Sequence, residues 1–209
     1  MKKAEYDGAE ARLLGELKAG SPAAFAAAVQ QYTGPMLATA RAIAGAAHAE
    51  DIVQDAWIRI YQQVETFEGR SSLLTWIQRI VANRAISVLR KSGRELAVSN
   101  IPGAGDVPDW FDNWFDHKGE WASAPPAWHT SSPDALLTAD ELQTCLDAHL
   151  ARMPDNQRAV LVMRDMQGLG FEEVSVILEI STANARVLLH RARLRLVDMV
   201  NRFEETGEC

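Results

Sequence analysis

Arg79, Asn83, Ser87 and Arg90 follow one another at steps of four, four and three residues. On a helix such steps stack side chains along one face. Guanidinium groups on that face can pair with phosphate oxygens, and a carboxamide can bond a base edge. A second polar set, Thr182, Ala183, Asn184, Arg186, Val187, His190 and Arg191, follows Ser181. A serine there can cap a helix whose N-terminus accepts a phosphate. The chemistry both sets offer is recognition of nucleic acid. No nucleophile–base constellation, glycine-rich phosphate loop or metal cluster appears in the sequence, so an enzyme is not expected, and neither is a cofactor or a bound metal.

Helical patterns must position these groups, and strand signals are almost absent. Ala9 to Leu17 reads as a short helix ending near Gly20. Ser21-Pro22 is an N-cap followed by proline in the first turn, opening helical sequence to about Ala44, with Gly34-Pro35 expected to break or kink it. His48 to about Val64 carries Ile52, Val53, Ala56, Trp57, Ile60 and Val64 at helical spacing. After a turn at Phe67-Glu68-Gly69-Arg70, Ser71 or Ser72 caps a helix running to about Lys91. Its apolar positions are Leu73, Trp76, Ile77, Ile80, Val81, Val88 and Leu89. Trp57 and Trp76 lie on apolar stripes and are read as core, whereas Phe67, in the turn, is read as a functional aromatic.

The pattern breaks from Ser92 to Ser132, a stretch longer than compact domains usually leave irregular. It is acidic and contains Trp110, Trp114, Trp121 and Trp128. Ser132-Pro133-Asp134 opens another helix to about Arg152, and Pro154 opens one to about Gln167. Gly170 to Ser181, then Thr182 to Arg193, read as a short amphipathic helix, a tight turn and an arginine-rich helix. That is the helix-turn-helix layout, whose second helix enters the DNA major groove. Leu178, Ile180, Ala185, Leu188, Leu189 and Ala192 include the residues that would pack it, with Leu188 left open as exposed.

The formal charge of -7 argues against a polyanionic partner only if it is spread evenly. It is not. Between Arg70 and Arg94 six basic residues occur without an acid, and from Thr182 to Arg202 five arginines face the single acid Asp198. The two cysteines, Cys145 and Cys209, imply no disulfide framework and fit a reducing compartment. Cys145 and His149 have a spacing that can bind zinc, but two ligands are not a site. The first residues lack the apolar core of a signal peptide, and no apolar run is long enough to span a bilayer, so cytoplasmic location without membrane insertion is expected.

Residues Ala49 to Trp57 and Phe67 to Asn83 closely resemble domain two of the extracytoplasmic-function sigma factors of RNA polymerase. Met153 to Val160 and the helix-turn-helix resemble their domain four. The resemblance implies an all-α chain of two helical domains joined by a long irregular linker: 1–92 as domain two, 93–132 as the acidic, tryptophan-rich linker and 133–209 as domain four. It implies a factor that directs core RNA polymerase to promoters, helps open the −10 element and is controlled by an anti-sigma factor. The alternative is a stand-alone helix-turn-helix regulator, which leaves the Asn83 helix without a purpose.

The resemblance places Asn83 where a flipped base of the −10 element is captured, with the Phe67 to Ser72 loop shaping the pocket. Phe67, Arg70, Arg79, Asn83, Arg84, Ser87 and Arg90 are the −10 candidates, and Thr182, Ala183, Asn184, Arg186, Val187, His190 and Arg191 are the −35 candidates. Asp51, Gln54, Asp55 and Arg59 are the candidates for docking on polymerase. Val187 and Leu188 replace the small polar and basic residues common in the family; apolar side chains can meet a thymine methyl but cannot read guanine bidentately.

Overall fold

In the computed structural model the backbone is described for residues 2–93 and 139–206, with side chains from Gly8 to Gly93 and from Thr144 to Phe203. The linker tryptophans, the Ser132-Pro133 cap and Cys209 lie outside the described residues. The described residues are helical and contain no strand. They form α1 (Lys2–Lys18), α2 (Pro22–Ala44), α3 (Ala46–Gln63), a 3₁₀ turn (Val64–Thr66) and α4 (Leu73–Lys91). After the linker come α5 (Ala139–Arg152), α6 (Asp155–Leu161), a π-type turn (Val162–Met166), α7 (Phe171–Leu178) and α8 (Thr182–Thr206).

The caps are local and side-chain driven. Ser21 Oγ accepts from Ala24 N at 3.3 Å, Ser72 Oγ from Thr75 N at 3.1 Å and Ser181 Oγ from Asn184 N at 3.1 Å. Each satisfies one of the amides a helix start leaves without a partner. A second orphan at the start of α4, the Leu73 amide, donates at 2.7 Å to Glu10 Oε1, so α1 completes the cap. Gly34-Pro35, expected to break or kink the helix, does not break it: α2 is one helix through both residues. Proline removes the bond to the Gln31 carbonyl, but Gln31 is exposed, so water can take that carbonyl.

α2, α3 and α4 pack on one another, and the apolar stripes read from sequence point inward: Ile52, Val53, Ala56, Ile60, Leu73, Ile77, Val81 and Leu89 are all buried. A second group forms where α8 packs on α6 and α7, closed by Val160, Met163, Val174, Ile177, Leu188 and Leu189. The two groups merge into one apolar core, because α4 packs on α7 and α2 on α6. Polar contacts stitch the seam. Arg158 Nε donates to Ala42 O at 2.8 Å, Gln167 Nε2 to Pro35 O at 2.9 Å and to Thr39 Oγ1 at 3.0 Å, and the Thr75 hydroxyl donates to Glu173. One turn beyond Thr75, Gln78 is completely buried with neither amide atom hydrogen-bonded.

α5 lies against α8 through Cys145, Met199 and Phe203. Cys145 Sγ is 3.7 Å from Met199 Sδ. Cys145 is disulfide-bonded, with its partner outside the described residues, so the expectation of unlinked thiols does not hold. Among the described residues no group of three or more histidine, cysteine or carboxylate side chains that could hold a metal ion occurs.

Candidate nucleic-acid interface

α4 is buried over roughly half of its circumference, and the other half carries the first candidate set. Arg79, Asn83 and Arg90 are exposed, and Arg84 and Ser87 are partly so. Arg84 is already engaged: its Nε donates to Asp55 Oδ2 of α3 at 2.8 Å and its Nη2 bonds the same oxygen. Arg70 is exposed in the loop before α4 and ion-paired to Glu68. Arg79, Asn83 and Arg90 therefore make the open part of the face.

Phe67, read as a functional aromatic of the turn, is buried. It is 7% exposed, its ring lies 4.9 Å from that of Trp76, and its carbonyl accepts from Lys18 Nζ at 2.6 Å. It supports the Phe67 to Ser72 loop from beneath and presents no free ring face. Trp76 and Trp57 are both partly buried against the core, as their stripes predicted. Trp57 Nε1 donates to Thr33 Oγ1 at 3.2 Å, and its ring meets Phe25 edge-on.

The helix-turn-helix is α7, a turn at Glu179 and α8. Gly170 N donates to Glu173 Oε2 at 2.8 Å, folding the acid back over the start of α7. Glu179 ends that helix at φ 57, a left-handed conformation that normally favours glycine. Ile180 N then bonds Ser175 O at 3.0 Å, which sets the direction of α8. At the start of α8, Ala183 and Arg186 are exposed, and Thr182, Asn184, Val187, His190 and Arg191 are partly so. Leu188 is 1% exposed, which settles its place in the core and removes it from any groove contact.

The arginine run of α8 is divided in space. Arg193, 5% exposed, donates to both carboxylate oxygens of Asp165 at 2.8 and 2.6 Å. Arg195 Nε donates to Gln157 Oε1 at 3.0 Å, and Arg202 pairs with Asp198. Only the first part of α8 presents basic side chains beside the helix-turn-helix turn, so the charge segregation of the sequence overstates the basic face.

Of the four docking candidates, Asp51, Gln54 and Arg59 are exposed along α3, and Asp55 is held by Arg84. Sequence reasoning missed two neighbours on the same helix: Ile58 is 52% exposed and Tyr61 67%. Their signal was legible, because both fall off the apolar stripe while being large and apolar. Tyr61 also packs edge-on against Phe25 and lines a cavity of about 510 Å³ with Leu17, Pro22 and Val64.

Residues 28–95 match the family Sigma-70 region 2, and residues 143–196 match Sigma-70, region 4. A probable RNA polymerase sigma factor of Haemophilus influenzae is 28% identical over 157 residues, covering 74% of this chain and 77% of that one. The ECF RNA polymerase sigma-E factor of Escherichia coli K12 is 25% identical over 181 residues, covering 87% and 88%. Among solved structures, CnrH in complex with the cytosolic domain of CnrY superimposes with a TM-score of 0.58 at 17% identity, covering 93% of this chain and 98% of that one. The sigma factor RpoE in complex with the anti-sigma factor NepR from Bartonella quintana does so with a TM-score of 0.54 at 23% identity, covering 85% and 96%. The two structural likenesses concern the fold. With two region matches in order, together spanning more than half of the chain, and full-length relatives of the same kind, this protein belongs to the extracytoplasmic-function sigma factors of RNA polymerase.

Proposed function

We propose that α4 captures the −10 element and the start of α8 reads the −35 element, while α3 docks on core polymerase. The observation that carries this is the open face of α4, where Arg79, Asn83 and Arg90 stand exposed side by side without an acid among them. Arginines there hold the backbone and Asn83 is left to select a base. A pocket that accepts only an extruded base turns the cost of opening the duplex into sequence discrimination. Phe67 and Arg70 shape that pocket through the loop, and Arg84 and Ser87 extend its basic floor. Thr182, Ala183, Asn184, Arg186, Val187, His190 and Arg191 contact the −35 duplex, with Val187 and Ala183 suited to thymine methyl groups. Asp51, Gln54, Asp55 and Arg59 meet polymerase, and Ile58 and Tyr61 add apolar area to the same side of α3.

The functional bounds are 1–92 and 133–209, with the linker between them. Control by an anti-sigma factor is part of this reading: RpoE of Bartonella quintana was solved with one, and 85% of this chain superimposes on it. No helix among the described residues is long and apolar enough to cross a membrane, consistent with action beside polymerase in the cytoplasm. As an initiation factor the chain catalyses nothing itself. A stand-alone regulator would shift duplex DNA without polymerase and would leave the α4 face unused. Run-off transcription with core polymerase and a panel of promoters tests the proposal. Promoter-dependent product supports it; no product at any promoter, with duplex binding by the free chain, would sink it.

A further inference from the structure

α1 meets the loop that leads into α4 at both of its ends. Lys18 Nζ donates to Phe67 O at 2.6 Å, and Leu73 N donates to Glu10 Oε1 at 2.7 Å. Between these two points Glu68, Gly69, Arg70, Ser71 and Ser72 are all exposed. We propose that Glu10 and Lys18 are positioning residues for base selection: α1 splints the loop at both ends and so holds the pocket for the extruded −10 base in one shape. The inference rests on the reading of α4 and its loop as the −10 pocket and adds α1 to it. Both residues precede residue 28, where the match to Sigma-70 region 2 begins.

Apolar packing already attaches α1 to the core, through buried Leu17 and the partly buried Leu13 and Leu14. The two polar bonds do something else, since each lands on one end of the loop. At the near end Phe67 is fixed three ways. Its amide donates to Val64 O at 3.2 Å, its ring lies 4.9 Å from that of Trp76, and its carbonyl takes the Lys18 ammonium. At the far end Ser72 Oγ takes the Thr75 amide, which leaves the Leu73 amide among the donors a helix start cannot satisfy internally. A carboxylate suits it, because charge-assisted bonds are stronger than neutral ones and negative charge is favoured at a helix N-terminus. Glu10 and Lys18 are eight residues apart in one helix, about 12 Å along its axis, so α1 is a strut of fixed length. With both bonds made, the ends of the loop cannot drift relative to each other. Inside the loop Gly69 takes φ 72, which glycine reaches without strain, and Arg70 pairs with Glu68. A pocket shaped before the base arrives spends no binding energy on ordering itself, so a fitting base gains the full benefit of its contacts.

The test is open-complex formation by reconstituted holoenzyme on a promoter and on versions of it with each −10 position changed, read by permanganate footprinting. Lys18→Met and Glu10→Ala should each lower the ratio between the preferred and the changed −10 elements by about fivefold, the scale of one hydrogen bond. Assembly with core polymerase and discrimination among −35 sequences should stay as in the wild type. Lys18→Arg and Glu10→Gln, which keep a donor and an acceptor, should recover most of the ratio. A thermal melt of each variant checks folding; should Glu10→Ala fail it, Lys18→Met and its rescue by Lys18→Arg decide alone. An unchanged ratio in Lys18→Met, or an equal loss at every −10 sequence, overturns the splint. Wild-type holoenzyme that opens all the changed −10 elements equally well overturns the underlying reading of the pocket instead.

Discussion

Arg84 of α4 donates from Nε to Asp55 of α3 at 2.8 Å, tying the helix proposed to hold the −10 element to the helix proposed to meet polymerase. The pair is partly exposed, with side chains 26% and 41% accessible, so solvent weakens it. A double-mutant cycle of Arg84→Ala and Asp55→Ala should give a coupling of about 0.5–1 kcal/mol in chemical denaturation. Strictly additive losses would show that the two helices are held by packing alone.

Asn83→Ala should leave assembly with core polymerase unchanged and reduce open-complex formation by about fivefold to a hundredfold, as expected for loss of about 1–3 kcal/mol of base discrimination. Permanganate footprinting of the −10 region measures the opening, and native gel assembly measures the binding. Equal losses in both would remove Asn83 from base capture.

Arg158 is 8% exposed and donates to Ala42 O, Leu150 O, Ala151 O and Met153 O while pairing with Asp155 at 2.6 Å. Its removal leaves four carbonyls and a carboxylate short of a donor. Arg158→Ala should therefore destabilise by about 3 kcal/mol or more, read from the denaturant midpoint. Arg158→Lys should recover only part of that, because an ammonium cannot span the same acceptors.

Glu179 adopts the left-handed conformation at the turn of the helix-turn-helix with φ 57. Glycine reaches that conformation without strain, so Glu179→Gly should raise stability by about 0.5–1 kcal/mol. An increase in melting temperature, with the promoter affinity of the holoenzyme unchanged, is the expected result. A decrease would mean that the Glu179 side chain contributes more than its backbone conformation costs.

Burial, then the nearby Arg195, holds His149 below its ordinary value of 6.5, and Asp198 works against them. The unfolded chain thus takes up this proton at a higher pH than the folded one. Between the two values the unfolded state binds more protons, so this part of the stability is complete above about 6.5 and falls on acidification. The drop in melting temperature from about pH 7 to about pH 5.5 should be smaller in His149→Gln than in the wild type. Identical drops would assign the pH dependence to other groups.

Local features were readable from the chain. Ser21, Ser72 and Ser181 each cap where expected, because a cap needs only its own next three residues. The stripe of α3 predicted its core side, since periodicity alone decides which residues face inward. Features made by distant segments were not readable. Nothing near Gly34-Pro35 reveals that α2 continues, with the Pro35 carbonyl accepting from Gln167. Phe67 looked free because Lys18 and Trp76, which hold it, come from other elements. Arg193 read as part of a basic face until Asp165 was placed opposite it.

The bond from Thr75 to Glu173 also sets a limit on reach. Packed helices lie about 8–10 Å apart, so with α7 on α4 and α8 on α7 the two faces proposed to read DNA sit about two helix spacings, roughly 20 Å, apart. Promoter elements numbered 10 and 35 are about 25 base pairs apart, or about 85 Å of duplex. On the proposed assignment one chain cannot hold both elements while Thr75 touches Glu173, and the promoter acts as a ruler longer than the closed molecule. Gln78, buried beside that seam with its amide unbonded, loses nothing polar when the seam parts and gains water or a new partner. Among the described residues Gln78 alone has both side-chain amide atoms buried without a hydrogen bond, and it lies one turn along α4 from that contact.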